Sequence, residues 1–77
     1  MKYLVTEIQT YENGTVNTPS YAFDNKNSAD AKYHQILSAA SVSSLSVHAA
    51  IMYTDKGEYI KSEYFTHVPA PEELPTE

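Results

Sequence analysis

The chain has no cysteine, no arginine, only two glycines, and no apolar run near the roughly 18 residues that span a membrane. Without cysteine there is neither a disulfide framework nor a zinc–thiolate site, two common staples of small secreted folds. Without arginine the preferred group for phosphates and guanine edges is missing, and the five lysines are scattered rather than striped. Direct nucleic-acid binding is disfavoured on that ground. Gly14 and Gly57 are both explained by turns, which leaves no glycine-rich loop for a nucleotide phosphate. The opening residues turn polar at Thr6-Glu7, without the apolar stretch of a signal peptide. A cytoplasmic protein with no membrane partner is expected.

What remains is 77 residues with a net charge of −5, enough for one domain and too few for two cores. Three of the carboxylates, Glu72, Glu73 and Glu77, fall in a stretch with Pro69, Pro71 and Pro75. Those prolines remove backbone donors, so residues 69–77 read as an acidic extended tail behind a domain at 1–68.

Residues 3–11 are rich in β-branched and aromatic types and run into Glu12-Asn13-Gly14. Asn-Gly is a strong hairpin signal. A two-residue loop there sets Tyr11 opposite Val16, Val5 opposite Ala22 and Leu4 opposite Phe23. Pro19 has no N–H, so the second strand belongs at an edge or carries a bulge. Asn27 or Ser28 can cap a helix over residues 28–41, with Asp30 in its first turn. Ala29, Tyr33, Ile36, Leu37 and Ala40 share one face of that helix. Residues 46–54 are apolar on both faces, as a central strand should be. Asp55-Lys56-Gly57 makes a three-residue loop, and residues 58–67 form the last strand. The result is an α+β fold, a ββαββ two-layer sandwich. Its four-stranded antiparallel sheet has the order 2-1-3-4, with one helix on one face.

One helix covers one side of such a sheet. In the register above, the opposite side shows Tyr3, Val5, Tyr11 and Val16. Seven tyrosines are many for this length, and tyrosine suits surfaces that are alternately wet and buried. This face, or an edge strand, is therefore the expected meeting place with a second copy in a homodimer or with another protein.

Catalytic and metal chemistry find little support. His34, His48 and His67 lie 14 and 19 residues apart on three elements, which matches no metal motif. No nucleophile elbow is present. Glu58 and Glu63 are five apart and cannot share a strand face. No enzyme, metal site or cofactor is expected. If a small ligand such as a signalling nucleotide binds at a subunit interface instead, His48, Tyr59 and His67 are the candidate contacts.

The layout resembles the small accessory proteins encoded by phages and mobile elements of Firmicutes-type bacteria. The likeness lies in a short cysteine-free chain whose only basic residues besides histidine are lysines. It includes the hairpin at Glu12-Asn13-Gly14, the helix Ala31-Lys32-Tyr33-His34-Gln35-Ile36-Leu37 and the acidic proline-rich end. The resemblance implies a non-catalytic protein, in some such cases an inhibitor of a host defence system or a sponge for a signalling nucleotide. It carries no site residues over.

Overall fold

Residues Tyr3 to Thr10, dense in β-branched and aromatic side chains, form the long strand β1 in a computed structural model that describes residues 1–67. The expected tail at 69–77 lies outside the described residues. After β1 come two short strands, β2 (Val16–Asn17) and β3 (Ser20–Phe23), both antiparallel to it. Helix α1 spans Lys26–Ala40, and strands β4 (Val47–Thr54) and β5 (Tyr59–Thr66) follow it. The sheet order is β2-β1-β4-β5, with β3 also on β1, all antiparallel and open at both edges. The α+β sandwich is thus present, with five strands rather than four. The second expected strand is broken at Thr18-Pro19, where proline cannot extend the ladder. Only the Pro19 carbonyl still reaches β1, accepting from Glu7 N at 2.9 Å.

The first hairpin corrects the expected register. Gly14 N donates to Tyr11 O (2.9 Å), Tyr11 N donates to Thr15 O (2.8 Å), and Gly14 has φ +92°. These are the marks of a three-residue loop, a type I turn closed by a left-handed glycine, rather than a two-residue type I′ turn. Asn13 supports it by accepting from Thr15 N through Oδ1 at 2.9 Å. The extra loop residue shifts the pairing by one: Val5 faces Tyr21, Leu4 faces Ala22 and Tyr3 faces Phe23. A one-residue shift exchanges the faces of a strand. Tyr3 and Val5 therefore join Tyr21 and Phe23 under the helix.

The second hairpin repeats the device, as expected from Asp55-Lys56-Gly57. Gly57 has φ +84°, its N–H donates to Thr54 O, and Thr54 N donates to Glu58 O, both at 2.9 Å. A Cβ at either glycine would meet nothing within 4 Å. The cost of Gly14→Ala or Gly57→Ala is then purely backbone strain, about 1–2 kcal/mol each. Urea midpoints should fall accordingly, with Gly→Asn losing less than Gly→Ala at both sites.

Helix α1 begins two residues earlier than expected. Asn25, in extended backbone, is the N-cap and accepts from Ser28 N at 2.8 Å through its side chain. Asp30 then sits beyond the first turn and pairs with Lys61 of β5 at 2.8 Å. The buried helix residues Ala29, Tyr33, Ile36 and Ala40 follow the predicted stripe. They pack with Val5, Ala50 and Met52, and Tyr3, Tyr21, Phe23, Leu37 and Ile60 border this core.

Candidate functional site

The strands alternate between two faces, and β4 shows it most clearly. His48, Ala50, Met52 and Thr54 are buried toward the helix, while Val47, Ala49, Ile51 and Tyr53 are only half-buried on the other side. Register carries this second face across the sheet. Leu4, Thr6, Ile8 and Thr10 of β1 stand opposite Tyr53, Ile51, Ala49 and Val47. Ser62, Tyr64 and Thr66 of β5 flank Ile51, Ala49 and Val47, and Tyr59 flanks Tyr53. No described helix or loop packs over these rows.

The side chains of this face are apolar or hydroxylic, with no charged group among the described residues. That is unusual for a surface on a chain with five Lys and ten Asp plus Glu. The charged strand residues Glu7, Lys61 and Glu63 all stand in rows on the helix side, opposite Ala50, Met52 and Ala50 respectively. A groove of about 280 Å³ crosses the uncharged face; Ala50 and Glu63, whose register rows lie on the helix side, line it together with Ile8, Val47, Ala49, Ile51, Ser62 and Tyr64. Tyr64 stands beside it, 67% exposed. Toward the β3 edge, Thr6 Oγ1 meets Ser20 Oγ at 2.8 Å and Tyr53 OH at 2.7 Å. That cluster satisfies the hydroxyls within the surface and leaves the groove itself apolar.

Three of the four residues expected on the bare face, Tyr3, Val5 and Tyr11, are placed elsewhere. Val5 is fully buried and Tyr3 half-buried in the core, on the helix side. Tyr11 is exposed at the end of the first hairpin, beyond β1. Val16 pairs with Thr10 and so belongs to the uncharged face, at its rim. The surface expected from the sequence exists, but Ile8, Ile51, Tyr53 and Tyr64 compose most of it. The distribution of charge by strand parity would have revealed it. Even positions of β1 (Leu4, Thr6, Ile8, Thr10) and of β5 (Ser62, Tyr64, Thr66) carry no Asp, Glu or Lys, whereas Glu7, Lys61 and Glu63 are all odd.

The candidate ligand contacts are not brought to one place. His48 is buried on the helix side, and its Nε2–H donates to Glu7 Oε2 at 2.5 Å. Gln9 Nε2 donates to the same oxygen at 2.9 Å. His67 Nε2 donates to the Ala40 carbonyl at 2.8 Å, closing the C-terminal end of α1, a position that suits an imidazole donor. Tyr59 is 64% exposed, its hydroxyl 3.2 Å from Ser62 Oγ. The Nε2 atoms of His48 and His67 thus each have a structural partner, while the buried Nδ1 of His48 has none. Among the described residues, no three His, Asp or Glu converge as a metal would need. No described helix is long and apolar enough to cross a membrane.

Comparison with protein families, curated proteins and solved structures finds no match to this chain.

Proposed function

We propose that this chain is a small non-catalytic interaction protein that binds another protein chain through its uncharged sheet face, self-association into a homodimer being the simplest form. The observation that supports this reading is the segregation of charge. A face spanning β1, β4 and β5 has no ion to desolvate, so covering it releases apolar surface at about 25 cal/mol per Å² without an electrostatic penalty. The same lack of cations weighs against a signalling nucleotide, because nothing on the face would neutralise a phosphate. The resemblance to mobile-element accessory proteins is consistent with a module that inhibits a host system by occupying a partner's surface.

Light scattering over a wide concentration range tests the reading. The wild type should show the mass of two chains, and Ile51→Lys should show one. Gln35→Lys, on the exposed side of α1, should leave the mass unchanged. A monomeric wild type would remove self-association, and the absence of any Ile51-dependent partner would then overturn the reading.

A further inference from the structure

One row crosses the uncharged face from edge to centre: Tyr64 of β5, Ala49 of β4 and Ile8 of β1 are successive register partners. The row is large, small, large. The small residue opens the groove, and Tyr64 projects next to it. A knob and a hollow on one surface are what a two-fold interface requires, since the same patch must serve both sides.

We infer that two copies stack face to face about a two-fold axis running along β4, so that Tyr64 of each copy covers Ile8 of the other across the groove. This rests on the reading above that the uncharged face binds a protein chain, and it names that chain as a second copy. A two-fold rotation along β4 places the partner's β5 over β1 and the partner's β1 over β5. The row Tyr64-Ala49-Ile8 then meets the same row reversed. Tyrosine lies over isoleucine on each flank, and the two Ala49 side chains leave room for them at the centre. In the neighbouring row the sizes invert, with Ile51 meeting Ile51 at the axis and Ser62 meeting Thr6 on each flank.

Two quantities support this occupant. Three strands, β1, β4 and β5, overlap in the stack; about 4.8 Å apart and about eight residues long at about 3.4 Å per residue, they give a face of roughly 14 × 27 Å. Stacking two such faces removes on the order of 800 Å² from water, the size of a weak, concentration-dependent dimer. Charge is the second. At −5 per chain, two copies repel through most surfaces, but the stack brings no described carboxylate row against another.

Charge-swap complementation tests the arrangement. Ile8→Glu alone buries a carboxylate against Tyr64, and Tyr64→Lys alone buries an ammonium against Ile8. Each should weaken dimerisation about 100-fold or more, with circular dichroism and the thermal melt confirming the fold. An equimolar mixture should recover the dimer, because the mixed pair holds one Glu–Lys contact and one native Tyr64–Ile8 contact. A wild-type dimer indifferent to both substitutions assigns self-association to another surface, such as the β5 edge, and overturns the stack while the interaction reading stands. A wild-type dimer that both variants break but the mixture does not restore overturns the pairing of residues 8 and 64. A monomeric wild type that dimerises only after removal of residues 68–77 assigns the face to the chain's own C-terminal segment. A monomer in both forms leaves a different protein as the occupant. These last two results overturn the second copy.

Discussion

Met52→Ala should unfold about 2–5 kcal/mol more easily than wild type. Met52 is one of the two largest fully buried side chains, the other being its cross-strand partner Val5. The two form the floor on which Tyr33 and Ile36 of α1 rest. Removing the thioether leaves a void bounded by a helix and three strands that are held in register by their hydrogen bonds and cannot collapse into it. A domain of this size has stability on the order of 5 kcal/mol, so the loss consumes much of the total. The melting temperature should fall by roughly 10 °C or more. Leu at the same position conserves volume and should cost less than about 1.5 kcal/mol. Denaturant and thermal melts of both variants check this. Equal losses in the two would mean that Met52 contributes something other than packed volume.

The parts of the fold that were legible in the sequence are those governed by local periodicity. Ala29, Tyr33, Ile36 and Ala40 announce their helix face because four residues at helical spacing have no other economical arrangement. The apolar residues on both faces of β4 mark it equally plainly as a central strand, and Gly57 marks a three-residue loop. The parts that were not legible depend on a single integer, the length of the first loop. Asn13-Gly14 is compatible with a two-residue type I′ turn and with a three-residue loop that uses only Gly14 at positive φ. Both are local solutions of similar energy, and the sheet decides between them. With three residues, Val5, Tyr3, Tyr21 and Phe23 all face the helix and bury together. With two, Val5 and Tyr3 would face away from it while Leu4 and Ile8 took their place. The buried pair of Met52 and Val5 is available only in the first case. Tertiary packing thus set the register, and register set which tyrosines reached the exposed face.

The Glu7–His48 contact was hidden for the same reason. The two residues are 41 positions apart and meet diagonally, because Gln9 pairs with His48 and Glu7 stands on the same row of β1. Neither residue type nor spacing indicates such a pair. Only a register correct to one residue places both on the helix side.

Removing the histidine from that pair should weaken the local response to pH. The side chains of Glu7 and His48 are 14% and 7% exposed. Burial pushes the Glu7 carboxyl up, and this is the largest single influence. The hydrogen bond from Gln9, the hydrogen bond and charge of His48, and the charge of Lys32 together outweigh it and hold the group below its ordinary value of 4.5. A carboxyl with a lowered native pKa favours folding above the unfolded-state value, and the contribution disappears as pH falls through the native value. In His48→Ala two of the lowering influences are gone. Burial is then opposed only by the hydrogen bond from Gln9 and the charge of Lys32, so the carboxyl rises and its ionised form favours folding less at neutral pH. The variant should be about 3–5 kcal/mol less stable than wild type near neutrality, the cost of leaving one member of a buried pair without its partner. On acidification the wild type loses the Glu7 contribution while the variant has less of it to lose, so the two stability curves converge. His48→Ala combined with Glu7→Leu should regain much of the loss, because no charge is then stranded. Urea unfolding of the three proteins across the acid range measures each part. Parallel curves for wild type and His48→Ala would show that the histidine acts by filling space and that Glu7 does not depend on it.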